Sequence, residues 1–112
     1  MPSEWRDILE TKLASLFSSD ADRAAAWAAL VPVVSGREGE RVAVACLKLA
    51  GSDLAELRTC VAVALADYRD VLAWAESPRQ MRAGPGAPQS DRARASREDA
   101  QEYAEWLRGP LK

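Results

Sequence analysis

The carboxylates best placed to do chemistry in this sequence lie in one short stretch, Asp67-Tyr68-Arg69-Asp70. Asp67 and Asp70 are three residues apart, so on a helix they would be neighbours on one surface. Two adjacent carboxylates can bind a cation or share a proton. Without a second carboxylate-rich helix that carries a matching pair, a two-metal site is not expected. We therefore favour a structural polar cluster paired with Arg69 or Arg41, and we predict no metal and no cofactor.

Histidine is absent from the chain. Its absence removes the commonest general base near neutral pH and the commonest metal ligand. The sequence also has no Cys-x-x-Cys motif and no glycine-rich phosphate-binding loop. We therefore predict no catalytic residue and no intrinsic hydrolytic or redox activity. A small carboxylate-dependent enzyme or metal-binding protein remains an alternative.

Two cysteines, Cys46 and Cys60, lie at equal distances from Asp53 along the chain. In an antiparallel helical hairpin they would stand at similar heights, as a disulfide or a redox switch requires. Free cysteine is also among the most buried residue types. We favour two reduced, buried core residues.

One tryptophan, Trp74, lies off the main apolar row of its predicted helix, where it would cover a neighbouring element or face a partner, and we favour packing within the chain. Tryptophan is enriched at protein-binding hot spots. A second group of apolar side chains lies near the C-terminus. The candidate interaction residues are Trp74, Tyr103, Trp106 and Leu107.

Apolar residues at spacings of three and four predict a small helical bundle. The third of its helices is apolar around most of its circumference and should be central. Pro32 should kink or end the second helix near Leu30, whereas the fourth should be continuous up to Pro78. The four predicted helices span about residues 4–18, 21–34, 40–50 and 54–76.

Residues 79–96 read as a linker rich in proline, glycine and arginine, since Gly84-Pro85-Gly86-Ala87-Pro88 cannot continue a helix. Ser96 and Asp99 form a capping box for a terminal amphipathic helix over about 97–108. We therefore divide the chain into a bundle domain, 1–78, the linker, 79–96, and a C-terminal segment, 97–112. The terminal helix is predicted to dock independently, on its own bundle, on a second subunit or in a groove of another protein, and we favour a second subunit.

Composition limits the function classes. The net charge is −2, with −4 in residues 1–76 and +2 in residues 77–112, which argues against a dedicated nucleic-acid-binding protein. Charges interrupt the N-terminus and no apolar run approaches the roughly 20 residues of a membrane span, so we expect a cytoplasmic protein. Abundant alanine and arginine are typical of GC-rich bacterial genomes.

Three segments carry a resemblance: Glu40-Arg41-Val42, Leu47-Lys48-Leu49-Ala50-Gly51-Ser52-Asp53-Leu54 and Asp67-Tyr68-Arg69-Asp70-Val71-Leu72-Ala73-Trp74-Ala75-Glu76-Ser77-Pro78. They resemble a family of small all-helical bacterial proteins with an ERV, LKL, DL and DYRDVL pattern. The resemblance covers roughly a third of the chain and implies a shared helical hairpin. The family has no assigned activity, so the resemblance supplies no catalytic residues.

These observations predict an all-α fold of about four helices, with an antiparallel hairpin over 39–76 at its centre and a linker-connected C-terminal helix. The leading functional hypothesis is a non-enzymatic interaction module whose partner is a second copy, as a homodimer, or another protein. The carboxylate-dependent enzyme is the first alternative. A weak nucleic-acid-associated regulator using the arginines of 79–97 is the second.

Overall fold

The computed structural model describes residues 4–36, 38–84 and 86–108. Within these ranges the chain forms seven helices and no strand, which confirms the all-α fold. Six helices precede the C-terminal one, where the sequence predicted about four. The helices are α1 (Glu4–Leu16), α2 (Asp20–Val34), α3 (Gly39–Ala50), α4 (Leu54–Ala66), α5 (Tyr68–Glu76), α6 (Pro78–Ala83) and α7 (Gln89–Arg108).

Helix α3 is the centre of the bundle, as its apolar sequence predicted. Residues 42–47 are all buried, and α1, α2, α4 and α5 each pack against α3. A helix surrounded by four neighbours needs apolar side chains around its whole circumference. The short turn at 51–53 brings α4 back onto α3, and the carboxylate of Asp53 accepts hydrogen bonds from the backbone N–H groups of Ala55 and Glu56.

The start of α3 lies very close to the end of α2. A Cβ atom at Gly39 would collide with the backbone of Val33 and Val34, so only glycine fits there. Helix α2 reaches this contact because it continues through Pro32 to Val34. The helix therefore does not end near Leu30, one of the two outcomes predicted at Pro32, since a proline in the last turn removes one backbone donor without preventing the remaining bonds.

The predicted fourth helix is two helices, and the prediction of one continuous helix is wrong. Asp67 has an extended backbone, with φ −158° and ψ 100°. Its N–H donates to the Val63 carbonyl and ends α4, while its carboxylate accepts from the N–H of Arg69 and begins α5. The apolar periodicity continues across this break, because Val61 and Ala64 before it and Val71 after it are all buried.

The predicted linker contains a further helix, α6, and the beginning of α7. Pro78 begins α6, where its missing N–H is no loss. Asp99 supplies the cap from α7: its buried carboxylate accepts hydrogen bonds from the backbone N–H groups of Arg79 (3.1 Å) and Gln80 (3.2 Å). The predicted capping box at Ser96 and Asp99 is wrong, because α7 already begins at Gln89.

Helix α7 packs on its own bundle. Tyr103 is buried, and Trp106 and Leu107 are half-buried against the main core. The ammonium of Lys12, a buried residue of α1, donates to the carbonyl of Trp106 and lies 4.1 Å from the centroid of its ring. A cation at the last turn of a helix interacts favourably with the helix dipole, and a cation over an indole ring makes a favourable cation–π contact.

Among the described residues, no helix is both long enough and apolar enough to span a bilayer.

Candidate protein-interaction groove

The structure does not bring the predicted polar cluster together as a site. The Asp67 carboxylate pairs with the Arg69 guanidinium at 3.0 Å, and hydrogen bonds from the Arg69 side chain and backbone lower the pKa of Asp67. Tyr68 is half-buried beside the core, whereas Asp70 is exposed. Within the described ranges, no three Cys, Asp or Glu side chains are grouped so that they could hold a metal ion.

The predicted interaction residues separate into two groups. Tyr103, Trp106 and Leu107 are occupied by the contact of α7 with its own bundle, where the Tyr103 and Trp106 rings stack with centroids 6.0 Å apart. Trp74, on α5, is 43% exposed. Of the four residues, Trp74 is therefore the one that presents a large aromatic surface to solvent.

Trp74 lines a groove of about 610 Å³ between α4 and α5, with one residue of α3 at its edge. Two further large apolar side chains are exposed there, Leu49 at 40% and Val63 at 43%. We call this surface the Trp74 groove. Its lining residues are Leu49, Glu56, Thr59, Cys60, Val63, Asp70, Val71 and Trp74.

Most of these lining residues lie in two rows at helical spacing, one on α4 and one on α5. Positions 56, 59, 60 and 63 follow one face of α4, and positions 70, 71 and 74 follow one face of α5. The core-facing residues Leu57, Val61 and Ala64 occupy the adjacent face of α4. Helix α4 therefore has an apolar face towards its own core and a mixed face towards the groove, where Cys60 and Val63 lie beside Glu56 and Thr59.

The charges on the groove are of one sign. Glu56 and Asp70 are exposed on α4 and α5, and none of the eight lining residues is Lys or Arg. Arg69, beside Asp70 in the sequence, is held by Asp67 instead. The groove therefore combines an apolar surface with an acidic rim.

Neither cysteine is an activated nucleophile. Burial raises the pKa of Cys46 to about 12, and burial and the nearby Glu56 charge raise the pKa of Cys60. Cys46 is fully buried, as predicted, but Cys60 is only half-buried because it lines the groove. Both thiols stay protonated near neutral pH, since a thiolate forms readily only where its pKa is lowered.

A second cleft, of about 560 Å³, lies between α7 and the start of α3. Its charged groups pair with each other: Arg41 donates to both oxygens of Glu76, at 2.8 and 2.6 Å, and to Glu38 at 3.3 Å. The pairing with Glu76 raises the pKa of Arg41. The sequence predicted Arg41 as a possible partner of the cluster at residues 67–70, whereas its partners are Glu76 and Glu38. The Arg41–Glu76 pair has no local pattern to mark it, because 35 residues separate its members.

Tyr103 borders the same cleft. Its hydroxyl is buried and has no hydrogen-bond partner within the described part of the chain. Burial raises the pKa of Tyr103, so the phenol remains neutral. The Tyr103 phenol therefore lies in a cleft whose arginine and Glu76 pair with each other.

Two of the five arginines in residues 79–97 pair with carboxylates. Arg79 binds Asp99 at 3.2 Å and Glu102 at 3.1 Å, and Arg94 pairs with Asp91 at 3.2 Å. A nucleic-acid-binding face would instead present several cations along one side.

Comparisons with protein-family models, with curated proteins and with solved structures find no match for this chain.

Proposed function

We propose that this protein is a non-enzymatic protein-interaction module that binds another protein through the Trp74 groove. The observation that carries the proposal is the convergence of Leu49, Val63 and Trp74, each at least 40% exposed, in one groove. Single exposed apolar residues are normal on protein surfaces, but a contiguous group marks an interaction site.

The shape of the groove favours a helix as the bound segment. The α4 row extends over eight residues, from Glu56 to Val63, and these two ends are about 10 Å apart along the helix axis. An amphipathic helix that presents apolar residues at i, i+3 or i+4, and i+7 covers the same length. Trp74 would then be the central anchor, as tryptophan commonly is at such interfaces.

Photo-crosslinking tests this proposal directly. A benzoylphenylalanine at Val63 lies in the groove, whereas the same group at Leu65, 59% exposed on α4, lies outside it. After irradiation in living cells, we expect a specific partner to be attached from position 63 and not from position 65. The same partner should be lost, by at least about tenfold, when Trp74→Ala is added, since a hot-spot residue contributes about 2 kcal/mol or more.

A circular-dichroism melt must first establish that Trp74→Ala is folded. A crosslink from position 63 to another copy of the chain, together with a dimer in light scattering, would identify homodimerisation instead. If position 63 gives no adduct that depends on Trp74 and the chain is monomeric, the proposed function is wrong.

A further inference from the structure

We propose that the segment bound in the Trp74 groove is a basic amphipathic helix of a different protein, an inference that rests on the function proposed above. Its apolar face would cover Leu49, Val63 and Trp74. Lysine or arginine side chains flanking that face would pair with Glu56 and Asp70. The groove thereby selects its partner by charge as well as by shape.

The acidic groups stand on both walls of the groove, one on α4 and one on α5. Within the described residues, neither Glu56 nor Asp70 forms an ion pair of its own. Arg58 is two residues from Glu56, so it lies on a different side of α4, and Arg69 is bound to Asp67. The Arg69 charge also acts on Asp70, although Asp67 takes its hydrogen bonds. Any helix lying in the groove would therefore meet two carboxylates that have no hydrogen-bonded cation of their own.

Charge of one sign on a binding surface favours partners of the opposite sign and rejects partners of the same sign. The apolar residues between the two carboxylates would supply most of the binding, because exposed ion pairs contribute little. The carboxylates would instead determine which of many amphipathic helices binds. They would also speed association at low ionic strength.

A second copy of this chain fits the groove poorly. Pairing two grooves about a two-fold axis would bring acidic rims towards each other, since both copies present the same patch. The exposed basic half of α7, with Arg92 and Arg94, carries no apolar residue larger than alanine between Gln89 and Glu98. The large apolar residues of α7, Tyr103 and Trp106, are already packed on its own bundle.

A displayed library of 18-residue amphipathic helices tests the inference. The library would fix an apolar face at i, i+3, i+4 and i+7, vary the apolar residue types, and place Lys, Glu or Gln at random beside that face. Helices would be selected on the full-length protein and counter-selected on the folded Trp74→Ala variant. We expect the surviving helices to be enriched in lysine at the flanking positions relative to the unselected library.

Selected helices would then be synthesised and their dissociation constants measured by fluorescence anisotropy at two salt concentrations. Glu56→Gln and Asp70→Asn should each weaken binding about two- to five-fold at low salt, the range of exposed ion pairs. The effect should shrink at high salt because ions screen exposed charges. Glu105→Gln, on the exposed side of α7, is the matched control and should leave binding unchanged.

The possible results separate the two proposals. Trp74-dependent helices without a lysine preference, or with a glutamate preference, would overturn the charge inference and leave the groove intact as a binding site. Helices whose binding falls equally in Glu105→Gln would reflect net charge alone and would also overturn it. If no selected helix depends on Trp74, the inference is wrong and the function proposed for the groove fails with it.

Discussion

Removing the buried carboxylate of Asp99 should detach α6 from α7. Asp99 is 1% exposed and accepts three hydrogen bonds, from the backbone N–H groups of Arg79 and Gln80 and from the Arg79 guanidinium. Losing a helix cap costs about 0.5–2 kcal/mol, and a hydrogen bond to a charged group contributes about 1.5–3 kcal/mol. Because water can reach the half-buried amides in the variant, we expect Asp99→Ala to lower the free energy of unfolding by about 2–3 kcal/mol.

The isosteric substitution Asp99→Asn checks the loss in free energy of unfolding that is expected for Asp99→Ala. Asp99→Asn keeps the side-chain volume and one acceptor oxygen but loses the charge and the second acceptor. We expect it to cost about 1 kcal/mol, the typical net contribution of one neutral hydrogen bond. Asp91→Asn is the matched control on the same helix, because Asp91 is exposed and pairs with Arg94 three residues away. Its effect should stay within about 0.5 kcal/mol.

Two measurements together decide the outcome. For a domain of this size, thermal unfolding should shift by roughly 4 °C per kcal/mol, so Asp99→Ala should melt roughly 8–12 °C lower. Hydrogen exchange should accelerate most at Arg79 and Gln80 and least in the buried α3. A melting temperature within about 2 °C of the wild type, with exchange in α6 unchanged, would refute the assignment of Asp99 as the cap of α6.

Three further changes probe the packing and the thiols. Gly39→Ala should cost about 1–3 kcal/mol in chemical denaturation because its Cβ would meet the α2 backbone; Gly36→Ala, where a Cβ would lie 3.4 Å from the Val33 carbonyl oxygen, should be much milder. Leu57→Ala, at a fully buried position, should cost about 2–5 kcal/mol, and an unmoved denaturation midpoint would contradict the core assignment. At pH 8, Cys60 should react with a maleimide before Cys46; equal rates would argue against the burial of Cys46. The pKa of Cys46 in the folded protein, about 12, exceeds its ordinary value of 9.0. The contribution of this thiol to the free energy of unfolding is therefore complete below pH 9 and is lost as the pH rises towards 12. The free energy of unfolding of Cys46→Ala should accordingly fall less steeply over that pH range.

Local patterns predicted the bundle well, because apolar periodicity directly reports which face of a helix is buried. The same signal could not locate the break at Asp67. The core-facing residues on either side of Asp67 keep their helical spacing, so the periodicity passes through the break unchanged. Aspartate is a favoured N-cap residue, but a single aspartate within a continuing apolar pattern is a weak local signal for a cap. The hydrogen bonds that make Asp67 both the end of α4 and the cap of α5 belong to the folded chain.

The region predicted as a linker shows a second kind of error. Helix α6 has six residues and no buried side chain, so its own sequence gives little reason for it to form. Short isolated helices are marginal in water. Its stability comes from Asp99, which is 20 residues away from Arg79 along the chain. Contacts of that kind cannot be predicted from a window of neighbouring residues.

The groove was predicted only at Trp74, yet the sequence of α4 contains a second indication of it. From Cys60 to Ala66 the helix has no charged residue, and a helix that is apolar on all sides is normally buried on all sides. The chain does not supply that burial, since Val63 and Leu65 remain 43% and 59% exposed. The apolar spacing in α4 marks its more strongly apolar face as the buried one and leaves the other face as surface. The spacing therefore did not indicate Val63 as part of a binding surface. The proposed interaction accounts for this excess of apolar surface: in the proposal, the partner helix covers the exposed apolar residues of α4 beside Trp74, and the carboxylates of Glu56 and Asp70 select the charge of that helix.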